Sequence, residues 1–271
     1  MIQEKFRFIK PCSALEKYIR YHWILHSNAK ISQLTFPIGC MQLVFHKGTP
    51  LYVSTSGSLQ SYATVSGQTN YPSYLKSSGN LKMFVTVFEP YAAGCILKLP
   101  CNLLYGCEVA VKDLDDRSLN GLAERIIETE NDDICIKLIE LWLLQRISES
   151  FDDLNTNRVR SVVREMNQNP FVSLQKLSEV TNLSRKQFNR IFTDMLGMNP
   201  KEFYRIVRFQ RALSMMQKKT NTVDHFSDIA CACGFSDQSH MIREIKTFSG
   251  LTPLQLVKEG FLYSDYFSQP I

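Results

Sequence analysis

The sequence predicts a β-rich α+β domain at the N-terminus, with flanking helices, joined to an all-α domain at the C-terminus. Three observations carry this. Short apolar or alternating runs punctuated by Gly, Pro, Ser and Asn fill residues 1–118. Helical periodicity runs almost unbroken from about 155 to Gly260. Between them Glu149–Asn157 (ESFDDLNTN) is polar, acidic and without an apolar period, which reads as a linker.

In the first part, Cys40–His46, Lys82–Phe88 and Cys95–Leu99 read as strands, and Ala14–Ile24 as a short helix. Ser118–Glu130 and Asp133–Ser148 read as helices. The second of these has two apolar stripes, one through Ile134, Leu138, Leu141 and Trp142, the other through Ile136, Ile139, Leu143 and Ile147. A helix apolar around most of its circumference needs two partners. One is its own domain; the other is either a second face of that domain or a second copy of the chain, so charged substitutions at Leu138 and Leu143, one on each stripe, are expected to give monomers or misfolding.

At 44% apolar and 21% charged, the 271 residues have the balance of an ordinary globular chain, which excludes a disordered or collagen-like protein. No apolar run reaches the ~18 residues of a membrane span. MIQEKFRFIKP lacks the apolar core of a signal peptide, so the expected compartment is the cytoplasm and the eight cysteines are expected as thiols. Residues 155–271 hold 16 basic and 10 acidic side chains, so the basic excess lies there, and residues 170–219 alone carry +7. A clustered basic field suits a nucleic-acid partner. Residues 220–271 carry −3, with Asp237 and Glu244 on or beside a helix that would face that partner.

Two segments of the C-terminal part share one plan. In the first, Leu174–Val180 is a short helix, TNLS at 181–184 a turn, and Arg185–Leu196 a second helix stopped by Gly197. Its apolar face is Phe188, Ile191, Phe192, Met195 and Leu196; Lys186, Asn189, Arg190 and Thr193 lie opposite. In the second, Phe226–Ala232, a turn at Gly234 and a helix from Gln238 to Phe248 repeat it, with Met241, Ile245 and Phe248 inward and Ser239, Arg243 and Lys246 outward. A short helix, a tight turn and an amphipathic second helix make a helix-turn-helix, whose second helix enters the major groove. Between the units Pro200–Lys218 reads as one helix of roughly 28 Å. Successive major grooves on one face of DNA lie about 34 Å apart, so this rod sets two reading helices one turn apart.

GFSDQSHMIREIKTFSGLTP at 234–253 closely resembles the signature of the AraC/XylS family of bacterial transcription regulators, and LSRKQFNRIFTDMLGMNPKEFYRIVRFQRAL at 183–213 resembles its first reading helix and linker helix. Met241, Ile242 and Ile245 depart from the aromatic, small polar and Phe residues usual at those positions. The resemblance covers about 155–260. It implies about seven helices with two helix-turn-helix units gripping adjacent grooves of double-stranded DNA. The residues expected at that DNA are Arg185, Lys186, Asn189, Arg190, Gln238, Ser239, His240 and Arg243. Arg and Lys suit guanine O6 and N7, Asn and Gln adenine N6 and N7. It also implies RNA polymerase as a partner and transcription regulation as the output, with activation and repression both open.

PCSALEKYIRYHWIL, PIGCMQLVFH and the run from SGQ to CILKLP resemble, more loosely, the sensor-like domain of some family members. That implies a cupin-like domain at 1–150 that binds a small-molecule effector or forms a homodimer, a DNA-binding domain at 155–260 and a tail at 261–271. No catalytic motif, cofactor fingerprint or metal set is recognisable; His22 and His26 would share a helix face but have no third ligand, and Cys231 and Cys233 read as core filler. No enzyme, no cofactor and no membrane contact are expected.

Overall fold

The computed structural model describes residues 4–148, 154–218 and 226–259. Among the described residues the N-terminal part holds ten strands in two antiparallel sheets. In spatial order the larger runs β1 (Glu4–Ile9), β2 (Ile19–Ser27), β9 (Leu81–Phe88), β4 (Gln42–His46), β7 (Ala63–Ser66), β10 (Glu108–Ala110), and the smaller β3 (Ile31–Thr35), β8 (Ser73–Ser77), β5 (Tyr52–Val53), β6 (Ser58–Leu59). Their long strands are β2 (Ile19–Ser27) and β9 (Leu81–Phe88), paired in register from Tyr21↔Val87 to Ser27↔Leu81. Side chains alternate across a strand. Tyr21, Trp23 and Leu25 of β2 and Met83, Val85 and Val87 of β9 therefore share one core, between the sheets. Ile24, Phe84 and Phe88 point the other way, into a second core. The large sheet is thus a middle layer, buried on both faces, and β9 reads as a continuous apolar run for that reason. Two antiparallel sheets around an apolar core is the layering shared by jelly rolls and cupins.

The second face is covered by helices α2 (Arg117–Glu128) and α3 (Asp132–Ser148). Asp116 caps α2 by accepting from the Leu119 amide at 3.0 Å. It also takes Arg146 at 3.1 Å, joining the two helices. In α3 the stripe Cys135, Ile136, Ile139, Trp142 and Leu143 is buried against the domain. The stripe with Leu143 thus faces inward, and the outward apolar residues are Ile134 and Leu141 of the other stripe, with Leu138 half-buried between them.

Three local readings are corrected. Ala14–Ile24 is one tight turn, with the Tyr18 and Ile19 amides on the Leu15 carbonyl, followed by β2. The aromatic and β-branched run Ile19–Leu25 pairs on both sides, which outweighs its helical spacing. His22 and His26 accordingly share a strand face and meet acidic groups of α3: His22 lies 3.8 Å from Glu140, and His26 3.2 Å from Asp132. Cys95–Leu99 is no strand. Ala93–Leu97 forms the short helix α1, ended by Lys98 in the left-handed region at φ 54°. Cys231 is exposed, while Cys233 is buried.

From α4 (Leu154–Gln168) onward the described chain is all helical, with seven helices, α4 to α10 (Pro253–Glu259), among the described residues. Residues 149–153, where most of the linker reading falls, and the tail 261–271 lie outside the described residues. The two parts are not beads on a string. One continuous apolar core runs from the helix-covered face of the large sheet through α1, α2 and α3 into the C-terminal helices.

Candidate nucleic-acid interface

Helix α5 (Leu174–Val180) starts on Ser173, whose hydroxyl accepts from the Lys176 amide. The turn after it needs one residue in the left-handed region, and Asn182 supplies it at φ 52°. Ser184 and Gln187 then form a reciprocal capping box at the start of α6 (Arg185–Leu196). Phe188, Phe192 and Leu196 bury the inner face. The Phe188 and Phe192 rings meet at 5.7 Å, and Phe192 meets Phe203 of the next helix at the same distance. This packing leaves Arg185, Lys186, Asn189 and Arg190 exposed on the outer face.

The second unit repeats the build. Gly234, at φ 77°, turns the chain after α8 (Phe226–Ala232), and a Cβ there would lie 2.1 Å from the Pro170 carbonyl oxygen, so only glycine fits. Asp237 caps α9 (Gln238–Ser249), accepting from the His240 amide at 2.7 Å. That amide is the main reason its carboxyl titrates below the usual range. Met241, Ile245 and Phe248 are fully buried, so the departures from the family pattern at 241 and 245 are filled by well-packed aliphatic side chains.

Gln238, Ser239 and Arg243 are exposed. Gln238 is partly engaged, since its Oε1 accepts from the Ser227 hydroxyl at 2.9 Å. His240 is half-buried, edge-on to Phe235 with 5.5 Å between ring centroids, and its Nδ1 lies 3.0 Å from the Ser236 hydroxyl. That geometry stiffens the turn rather than presenting the ring outward.

The connecting helix α7 (Pro200–Lys218) does what the sequence reading missed. Arg205 donates twice to Glu244, Nε to Oε2 at 2.7 Å and Nη2 to Oε1 at 2.9 Å, and its guanidinium covers the Phe248 ring. The hydrogen bonds to Glu244 are the largest reason the Arg205 pKa is raised. Arg208 donates to the Gly234 carbonyl at 2.9 Å and lies over Tyr204 and Phe235. Burial lowers its pKa. Arg211 donates to the Asn167 carbonyl. Three of the basic residues counted in the +7 segment are thus internal struts. Glu244 and Asp237, counted as a local acidic field, are spent on a half-buried ion pair and a helix cap. The signal for Glu244 was present: with Met241, Ile245 and Phe248 it completes the inner-face spacing i, i+3, i+4, i+7.

Two helix-turn-helix units locked to one connecting helix, each with a polar and cationic second helix turned outward, define a double helix-turn-helix module of the nucleic-acid-reading class. The C-terminal part of this chain is an AraC-type helix-turn-helix domain.

Residues 177–259 match the family described as a helix-turn-helix domain, and residues 7–109 match a domain family of unknown function. An HTH-type transcriptional regulator of Haemophilus influenzae is 28% identical over 42% of this chain and 37% of its own length. The HTH-type transcriptional regulator MtrA of Neisseria gonorrhoeae is 28% identical over 32% of this chain and 28% of its own. The alignments thus span about a third of the length of these relatives. YdeC of Bacillus subtilis aligns over 89% of this chain and 87% of its own, at 20% identity. Among solved structures, ToxT of Vibrio cholerae O395 covers 95% of this chain and 97% of its own at 10% identity and a TM-score of 0.45.

Among the described residues no helix is long and apolar enough to cross a membrane. No group of three or more His, Cys, Asp or Glu among them converges as a metal site.

Proposed function

We propose that the chain is a sequence-specific DNA-binding transcription regulator of the cytoplasm that reads two adjacent major grooves of double-stranded DNA. The proposed units are a sensor at 1–150, a reader at 155–260 and a tail at 261–271. The observation that supports it best is the strut between the units: Arg205–Glu244 and Arg208–Gly234 fix α9 on α7, while Phe192–Phe203 fixes α6 on the same helix. A rigid rod with two outward reading faces has use only if both faces meet one ligand.

In this reading Arg190 and Arg243 reach base edges. Asn189 and Gln238 are suited to adenine, while Arg185, Lys186 and Ser239 contact the DNA backbone and His240 holds the turn that presents them. RNA polymerase is the proposed second partner, and a small-molecule effector of the β-sandwich the proposed input. A homodimer through α3 completes the proposal, because Leu141 remains 62% exposed on its outer face. The reading assigns no reaction to the chain.

The test is selection of bound sites from a random duplex pool by the full chain. Enrichment of a site with two half-sites about one helical turn apart, bound with a steep salt dependence, supports the reading. Recovery of no consensus, or of binding insensitive to salt, contradicts it.

A further inference from the structure

The β-sandwich encloses an open-mouthed cavity of about 180 Å³. Its apolar lining includes Trp23, Val44 and Met83 of the large sheet, Leu75 of the small one, and Phe36. A dry cavity of about 150 Å³ suffices for benzene, so this one has room for an aromatic or short aliphatic body and a small polar head.

The polar end has a definite sign. Glu108, on the edge strand β10 (Glu108–Ala110), is the one carboxylate of the lining, and no Lys, Arg or His lines the cavity among the described residues. Its Oε1 accepts from Gln60 Nε2 at 2.7 Å and from the Ser66 hydroxyl at 3.5 Å. Gln60 is itself oriented, since its Oε1 lies 2.8 Å from His46 Nε2. Because Gln60 gives its amide protons to Glu108, its oxygen must accept, so His46 carries its proton on Nε2. Burial holds the His46 pKa down at about 4, which keeps the ring neutral.

Gln60, oriented by His46, and Ser66 thus aim two donors at one carboxylate oxygen and leave Oε2 without a hydrogen bond among the described residues. Glu108 has no ion-pair partner among them, and desolvation by the surrounding protein raises its pKa. Tyr71 stands at the same rim, its ring fixed by a hydrogen bond from its hydroxyl to the Gly106 carbonyl at 3.0 Å. A carboxylate beside an aromatic face suits a cation.

We infer that this cavity binds a small organic amine, its apolar body between Trp23 and Leu75 and its ammonium on Glu108 Oε2 against the Tyr71 ring. The same geometry rejects carboxylates, which would meet Glu108 with no cation to offset the repulsion. The inference rests on reading the sandwich as a sensor and names the chemical class of its ligand.

The test is titration calorimetry on the full chain without DNA, using phenethylamine, hexylamine, 2-phenylethanol and 3-phenylpropionate as probes. The expected result is binding of an amine, with a change in tryptophan fluorescence from Trp23, and no binding of the carboxylate. Glu108→Gln, at an exposed rim position and checked by its thermal melt, should weaken the amine about tenfold or more and leave the alcohol unchanged. Equal binding of amine and carboxylate, an unchanged amine affinity in Glu108→Gln, or no amine binding at concentrations up to about 1 mM would overturn it. Because no DNA is present, failure here is separate from failure of DNA reading, which the pool selection reports.

Discussion

Phe36 of the sandwich and Phe209 of the connecting helix α7 meet edge to face, with ring centroids 6.0 Å apart and planes at 86°. Phe36 also lines the sandwich cavity. Next to it the Pro37 carbonyl accepts from the Gln210 amide of α7. Two residues on, Gly39 passes so close that a Cβ would touch the Phe203 ring at 3.0 Å. At the start of α7, Glu202 accepts from Asn70 at 2.5 Å and from Tyr105 at 2.7 Å. The segment 36–40 therefore has one side on the cavity and the other on the rod that spaces the two reading helices. Packed atoms thus join the cavity lining to α7 directly, outside the linker.

The first prediction follows from that seam. Phe36→Ala should cost about 3 kcal/mol, as large-to-small changes in a packed core do, and should speed amide exchange in α7 well beyond exchange in α2. A loss under about 1 kcal/mol, or slow exchange throughout α7, would show that the seam is not a shared core.

A second prediction separates two accounts of Glu244. If it acted as an acidic residue facing DNA, Glu244→Gln would tighten binding. Since it holds Arg205 in a bidentate pair under α9, Glu244→Gln should weaken DNA binding severalfold, and Arg205→Ala should do the same. Tighter binding by Glu244→Gln in a fluorescence anisotropy titration would contradict the strut.

The third concerns pH. Burial holds both His22 and His46 down at about 4, against about 6.5 in an unfolded chain. Between those values the unfolded state binds more protons, so stability is full above pH 6.5 and falls as the pH drops toward 4. The urea midpoint should therefore fall between pH 7 and pH 5, and His46→Gln should flatten part of the decline. A midpoint unchanged across that range would count against burial of two neutral rings.

The fourth addresses self-association. Leu141→Glu should shift sedimentation toward a monomer while leaving the thermal melt intact, because its side chain is exposed on α3. Leu143→Glu buries a charge at a fully enclosed position and should prevent folding instead. A wild-type monomer at high concentration would remove the dimer from the account.

What could be read in advance divides along a physical line. The helices α5, α6, α7 and α8 were legible to the residue, because caps at Ser184, stops at Gly197 and apolar spacing are local signals. The strand β2 was not, since its helical-looking spacing is overruled by partners far away in sequence, such as Met83 and Val85. All eight expected contact residues lie on the two reading helices, but sequence alone could not tell that His240 leans on Phe235. Charge counting misjudged the second unit for a similar reason: Glu244 and Arg205 cancel each other across two helices. The seam through Phe36 and Phe209 had no local signal at all, because it joins a strand-edge loop to a helix through contacts 173 residues apart, as with Pro37 and Gln210.

The central claim is that α6 and α9 enter two successive major grooves of one site. Methylation interference on the selected site tests it directly, with the full chain and the variants Arg190→Ala and Arg243→Ala. The account predicts two patches of major-groove interference about 10.5 base pairs apart. Arg190→Ala should erase one and Arg243→Ala the other. The loss of affinity should be larger for Arg190→Ala, whose helix carries three exposed basic residues, Arg185, Lys186 and Arg190, against Arg243 and Lys246 on α9. A single patch, or two patches of which neither variant removes either one, would contradict it.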